Sequence, residues 1–134
     1  MVFVFFIAIY VSACSNYLKG NRTRRKLFGA TYMTMNNEFY KVVNNQIRMQ
    51  VEKNGDEMIT LDSALDQKKQ NEQIKQLVKR KVDAIFLNSV DWKEVESGLK
   101  AAKKAKIPVI VIDSQVYRND LVTMTIVSDN YKAG

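Results

Sequence analysis

Apolar, strand-like segments recur in this chain at nearly regular intervals, and this rhythm limits the possible folds more than any other feature. The segments begin at residues 27, 57, 83 and 108, so that successive starts lie 30, 26 and 25 residues apart. Each interval holds one strand, one amphipathic helix and two short connections, as a βαβ unit requires. The sequence therefore predicts an α/β fold: a doubly wound parallel sheet with helices on both faces.

Strands and helices are predicted to alternate along residues 27–127. Strands are assigned to 27–33, 57–61, 83–87, 108–112 and 121–127, and helices to 38–54, 67–80 and 92–105. The third and fourth strands are continuous apolar runs, which is typical of strands buried on both faces of a sheet. The first helix is predicted to pack through one apolar face, formed by Phe39, Val42, Val43, Ile47 and Val51.

The chain begins with an almost unbroken apolar segment. Residues 1–13, MVFVFFIAIYVSA, are too few to span a bilayer, which takes about 20 residues. Val11-Ser12-Ala13-Cys14 resembles the lipobox of bacterial lipoproteins, with small residues before the only cysteine. We expect residues 1–14 to be a lipoprotein signal peptide, with Cys14 lipidated and the protein held at the extracytoplasmic face of the cell membrane. The alternatives are a plain signal, a single membrane anchor, or a buried strand.

Residues 15–26 are polar and basic and show no apolar periodicity, so we expect a flexible tether.

The formal charge of +7 raises the question of whether the chain binds nucleic acid. However, the other basic residues alternate with acidic ones along the helices, which usually indicates solvated helix faces. No zinc-finger or basic-zipper spacing is present. A basic segment beside an apolar one favours anionic lipid headgroups, so we expect no nucleic-acid partner.

The residue types argue against catalysis. The chain has no histidine, which excludes histidine metal sites and Ser–His or Cys–His catalysis. It contains no GxGxxG, GxxxxGK[ST] or GxSxG motif. Asp113 follows an apolar strand as the phosphoacceptor of receiver domains does, but residues 33–37 lack the acidic pair that such domains need. We expect a binding protein that is not an enzyme and uses no cofactor or metal.

Polar residues follow every predicted strand, at 34–37, 62–63, 88–91, 113–115 and 128–130. In an open parallel sheet, ligands bind beyond the carboxyl ends of the strands. Asn, Asp and Ser side chains hydrogen-bond hydroxyl groups, and the rings of Phe39 and Tyr40 offer apolar faces. The same polar residues also cap helices and form turns. Five polar ends on one edge nevertheless favour a ligand face for a neutral polyol such as a sugar.

Five motifs then identify a resemblance. They are MNNEFY at 35–40, TLDS at 60–63, VDAIFLNSVD at 82–91, KIPVIVID at 106–113 and SDNYKAG at 128–134. In this order they resemble the N-terminal lobe of ribose-type periplasmic sugar-binding proteins, which have the type I fold. The resemblance implies a receptor that binds a monosaccharide or similar polyol between two lobes. Such a receptor delivers its ligand to an ABC importer or a chemoreceptor.

The resemblance also implies ligand-binding positions. They are Asn37, Phe39 and Tyr40 in the first turn, Asn88 near the cleft, Asp113 as an acceptor for sugar hydroxyls, and Asn130 at the first hinge crossing. Three residues depart from the family pattern. Glu38 replaces a proline of the family pattern, and Met33 replaces a small polar residue. Ser114 replaces the arginine of ribose binders. Because serine lacks the rigid multi-donor fork of arginine, the resemblance does not identify ribose, or any other particular sugar, as the ligand.

The family has a second lobe of comparable size, from which the chain returns to complete the first. We expect residues 27–128 to form the N-terminal lobe and 129–134 to begin the hinge towards a second lobe. The chain is then a fragment that binds sugar weakly or not at all, because half a cleft buries too little of its ligand. The alternative is a sugar or autoinducer-type sensory input domain of a signalling system. A sugar-responsive repressor core would need a helix-turn-helix where residues 1–26 carry the apolar segment.

Overall fold

The computed structural model describes residues 24–127 and contains a five-stranded sheet. The strands are β1 (Leu27–Tyr32), β2 (Glu57–Asp62), β3 (Ala84–Leu87), β4 (Val109–Ile112) and β5 (Met124–Ile126). The helices within this range are α1 (Glu38–Lys53), α2 (Gln67–Lys79) and α3 (Glu96–Lys104), and a 3-10 turn, Asn119–Leu121, precedes β5.

All neighbouring strands are parallel, in the order β2-β1-β3-β4-β5. This confirms the predicted α/β class. Two boundaries differ from the predicted ones by more than one residue, because turns take residues from the predicted elements. The third helix begins at Glu96 rather than at residue 92, since the Asp91 carboxylate accepts hydrogen bonds from the backbone N–H groups of Lys93 and Glu94 and holds a turn there. The last strand is shortened by the 3-10 turn before it.

Helices α2 and α3 cover one face of the sheet. Their apolar residues pack with those of β3 and β4 in a core formed by Ile74, Leu77, Val82, Ile85, Leu87, Val95, Leu99, Ala102, Val109, Val111 and Val116. The contact between α2 and β1 is especially close at Gly29. A Cβ atom built there would lie 2.7 Å from both methyl groups of Leu77, so only glycine lets the helix approach to this distance.

Helix α1 packs on the opposite face, over β1 and β2. The predicted face of this helix is wrong at Phe39 and Val42, which are 48% and 52% exposed. The helix is rotated so that Tyr40 packs on Tyr32, with ring centroids 6.2 Å apart. Asn44 is buried as well, and its side-chain oxygen accepts a hydrogen bond from the hydroxyl of Thr60 on β2. A ring contact and a buried hydrogen bond therefore set the orientation of α1, rather than its apolar stripe.

The same face of the sheet is open beside α1. Ile110 and Ile112 of β4 pair with Met124 and Ile126 of β5, and both β5 side chains are about half exposed. Ile110 and Ile112 are partly exposed. Between residues 24 and 127, no helix is both long and apolar enough to cross a bilayer.

Candidate functional site

The connections that follow β1, β2, β3 and β4 meet along one edge of the sheet, which we call the carboxyl edge. Hydrogen bonds join neighbouring connections. The Leu65 N–H donates to the Met33 carbonyl at 2.7 Å, and the Ser89 N–H donates to the Ser114 hydroxyl at 3.2 Å. Helices α1 and α2 begin at this edge, so it also presents backbone N–H groups of their first turns.

The turn after β1 holds three of the predicted site residues. Asn37 caps α1, because its side-chain oxygen accepts a hydrogen bond from the Phe39 N–H at 2.9 Å. Phe39 is half exposed, and its ring meets that of Tyr40 edge-on, with centroids 5.5 Å apart. Tyr40 is buried. Phe39 thus offers the free ring surface in this turn, and Tyr40 supports it from behind.

Asn88, at the end of β3, is 1% exposed. Its side-chain oxygen accepts from the Met33 N–H at 3.4 Å, and its side-chain amide donates to the Ile112 carbonyl at 3.0 Å. The side chain therefore links the ends of β1 and β4 across the strand between them. The contacts place it beneath the carboxyl edge and fix the turns above it.

A row of glutamines on α2, absent from the sequence-based site, supports the edge from below. Gln70 donates to the Asn88 carbonyl at 2.9 Å and accepts from the Val90 N–H at 2.9 Å. Gln67 accepts from the Asp91 N–H at 2.7 Å, and Gln73 is bonded to the Thr31 hydroxyl at 2.8 Å. Their spacing of three residues, which puts them on one side of a helix, is the sequence signal that could have revealed them.

Asp113 directly follows β4 and has a left-handed backbone, with φ of 51°. Its N–H donates to the Ile126 carbonyl at 2.8 Å, which fixes the start of this turn against β5. The side chain is partly exposed at the carboxyl edge. Asp113 therefore lies at the end of β4, next to β3, the strand that Asn88 follows.

Two further aromatic side chains at this edge were missed by the sequence analysis. Trp92 and Tyr117 are 51% and 62% exposed, and their rings meet edge-on with centroids 5.6 Å apart. The Tyr117 N–H donates to the Trp92 carbonyl at 2.8 Å, and the Lys93 ammonium lies 4.8 Å from the Trp92 ring centroid. No periodicity joins positions 92 and 117, so only the fold brings these rings together.

Asp91 and Tyr32, both near the carboxyl edge, have displaced pKa values. The pKa of the Asp91 carboxyl is lowered, because it accepts hydrogen bonds from the Glu94 and Lys93 N–H groups. Burial raises the pKa of the Tyr32 phenol to about 12, although Arg48 opposes this shift. The Tyr32 hydroxyl is one of two buried polar atoms for which residues 24–127 supply no hydrogen-bond partner. Asp91 is thus held ionised, and Tyr32 neutral, at ordinary pH.

The carboxyl edge combines amide, hydroxyl and carboxylate groups with exposed rings, which suits hydrogen bonding and stacking rather than metal chemistry. Among residues 24–127, no three His, Cys, Asp or Glu side chains are grouped to hold a metal ion. The structure brings the first turn, Asn88 and Asp113 to one edge. Asn130 and Cys14 lie outside the described residues. The six ligand-binding positions and the lipidation site stay predictions.

Comparison with known proteins gives a consistent result. The family described as periplasmic binding protein domain matches residues 28–134. The chain is 28% identical to the ribose import binding protein of Bacillus subtilis over 79% of its length and 34% of that protein. It is 39% identical to a galactofuranose-binding protein of Escherichia coli over 67% of its length and 29% of that protein. A crystal structure of a galactofuranose binding protein superposes with a TM-score of 0.72 at 27% identity, covering 78% of this chain and 36% of that one.

These matches leave most of each relative uncovered. The chain spans about a third of the length of the curated relatives to which it is similar. The matched part contains the sheet from residue 28 onwards and all the turns of the carboxyl edge up to residue 127.

Proposed function

Because the chain belongs to the periplasmic binding protein family, we propose that it carries one wall of an extracytoplasmic binding site for a monosaccharide or similar polyol. The receptor built on it serves a sugar ABC importer. The relatives named for ribose import and for galactofuranose binding support this assignment. In the proposal the second wall of the cleft belongs to another lobe.

One observation carries the proposal: a half-exposed ring and several polar groups occupy the edge where open parallel sheets bind ligands. The half-exposed ring of Phe39 lies in the first turn of α1, which follows β1. Asp113 is partly exposed and follows β4, which is two strands from β1 in the sheet. A ring stacks on the C–H face of a sugar, while a carboxylate accepts hydrogen bonds from its hydroxyls. This pairing of groups suits a neutral polyol better than a charged or fully apolar ligand.

The six predicted ligand positions take different roles in this proposal. Phe39 stacks on the sugar ring, and Asn37 and Asp113 exchange hydrogen bonds with its hydroxyls. Tyr40 and Asn88, both buried, act mainly by holding Phe39 and the turns in place. Asn130 contributes from the hinge crossing that follows β5. Since the arginine of ribose binders is replaced by Ser114, we propose a ligand other than ribose.

Titration of the full chain with monosaccharides, followed by NMR, tests the proposal. We expect millimolar affinity at best, about −4 kcal/mol, because one wall buries only part of the ligand. The largest shift changes should fall at the carboxyl edge. A sensory input domain would bind sugar in the same way, and the two import and binding relatives are the reason for preferring the importer.

We further propose that Cys14 carries a lipid and holds the protein at the extracytoplasmic face of the membrane. The support is the lipobox-like sequence Val11–Cys14 after an apolar run. Mass spectrometry of protein expressed in a bacterium is expected to show a diacylglycerol-modified Cys14 as the new N-terminus. A Cys14→Ser variant should lose the modification. An unmodified chain that still begins at Met1 would contradict this part of the proposal.

A further inference from the structure

The fold separates the charges of the chain onto opposite edges of the sheet. The strands begin, and the helices end, at what we call the amino edge, opposite the carboxyl edge. Its segments 24–26, 53–57, 79–83 and 103–108 contain ten basic side chains and three acidic ones. The turns of the carboxyl edge, 33–38, 62–66, 88–94 and 113–118, contain six acidic side chains and two basic ones. The fold therefore places most of the basic residues of these segments at the amino edge and most of the acidic ones at the carboxyl edge, although they alternate along the sequence.

The three carboxylates of the amino edge are already engaged. Asp83 pairs with Arg24 and accepts from the Leu27 N–H, and Glu57 pairs with Arg25 at 2.8 Å. Asp56 accepts from the Lys26 N–H at 3.0 Å. The two ion pairs neutralise Asp83 and Glu57, while Asp56 accepts only a backbone N–H and keeps its charge. None of these contacts involves the lysines at the helix ends.

Those lysines are exposed. Lys81, Lys104 and Lys106 form no ion pair with any carboxylate among residues 24–127. Lys81 and Lys106 occupy equivalent places after α2 and α3, with left-handed φ values of 55° and 58°. Favourable interaction with helix dipoles explains a basic residue in the last turn of each helix, but not those beyond the helices or before β1.

A groove of about 540 Å³ lies between these two helix ends. Lys81 and Lys106 line it together with the apolar side chains Val78, Val82 and Ile107. The ion pair of Arg24 with Asp83 is also part of the lining, so the uncompensated cations of the groove are the two lysines. Cationic groups around an apolar floor fit a lipid headgroup, which has a phosphate and an adjoining apolar region. A nucleic-acid backbone would bind to the positive charges and would not need the apolar floor. Single-stranded nucleic acid also stacks its bases on aromatic rings, and no exposed aromatic ring lies among the residues lining the groove.

From this geometry we propose that the amino edge docks on an anionic lipid surface. Strand β1 begins at Leu27, on this same edge, and the sequence before it is apolar and then basic, with Lys19 and Arg22 in the polar part. Docking there turns the carboxyl edge away from the membrane. The inference is independent of sugar binding and of a lipid on Cys14.

Vesicle flotation of the full chain tests the proposal, using phosphatidylcholine vesicles with and without phosphatidylglycerol. The triple variant Lys81→Gln, Lys104→Gln, Lys106→Gln should lose about fivefold in phosphatidylglycerol-dependent binding per charge, or about a hundredfold in all. The matched variant Lys41→Gln, Lys68→Gln, Lys69→Gln removes the same charge from the starts of α1 and α2 and should lose much less. The binding should also weaken with salt, since the Debye length is about 10 Å at 0.1 M.

Equal losses in the two triple variants would show that net charge alone drives binding and would overturn the proposal. The proposal would also be overturned if the protein bound duplex DNA through Lys81, Lys104 and Lys106 but did not bind vesicles that contain phosphatidylglycerol. A second measurement needs no variant. Amine acetylation of the unaltered chain on phosphatidylglycerol vesicles should protect the three amino-edge lysines and leave Lys68 and Lys69 reactive, and the reverse pattern would contradict the docking.

Discussion

Replacement of Leu77 by alanine is expected to lower the free energy of unfolding by about 2–5 kcal/mol. Leu77 is 0% exposed and packs from α2 against Gly29 of β1, at the centre of the larger core. The loss combines the transfer energy of the removed methyl groups with the cavity that they leave. Chemical denaturation followed by circular dichroism measures the effect. The matched variant Leu65→Ala removes the same atoms at a 65% exposed position and should change stability by only about 0.5 kcal/mol or less.

The same contact can be tested from the opposite side. Gly29→Ala places a methyl group against Leu77 and should cost about 1–3 kcal/mol in the unaltered protein through overpacking. In the Leu77→Ala background that methyl group enters the new cavity, so its cost should fall. Strictly additive effects of the two substitutions would contradict the close helix–strand contact.

Asn88→Ala is expected to cost about 2–3 kcal/mol because it leaves the Met33 N–H and the Ile112 carbonyl without their buried partner. It should also disturb the turn at Asp113, which directly follows Ile112. Thermal or chemical unfolding gives the stability, and amide NMR shifts report the turns after β1 and β4. Asn45→Ala, at an exposed position of α1, serves as the matched control and should leave both unchanged. A stable Asn88→Ala protein with unshifted turns would show that the bridge does not hold the edge.

The architecture was predictable from the sequence because strand and helix periods are local and repeat at one spacing. The repeat also predicted that the strands are parallel, whereas their order β2-β1-β3-β4-β5 is known only from the structure. The face of α1 was not predictable in this way. Phe39 and Val42 fit an apolar stripe as well as Tyr40 does, and the choice depends on the ring of Tyr32 and on Thr60, which come from other strands.

The site shows the same division. The polar ends of the strands were visible in sequence, and the structure brings Asn37, Asn88 and Asp113 to one edge. Which of them faces solvent was not visible, because Asn88 turns inward to bridge two strands that are distant in sequence. The pairing of Trp92 with Tyr117 and the basic amino edge are also products of topology, since each joins segments from different βα units.

The most direct test of the sugar-facing wall is an NMR titration of the full chain with D-ribose, L-arabinose and D-glucose. We compare Phe39→Ala with Val42→Ala, since both positions are about half exposed on α1 and lie one turn apart. The account predicts weak, saturable shift changes at residues 34–40, 88–91 and 113–115, and an affinity reduced about two- to tenfold by Phe39→Ala alone. No saturable change with any of the three sugars, changes confined to the amino edge, or equal losses in the two variants would contradict it.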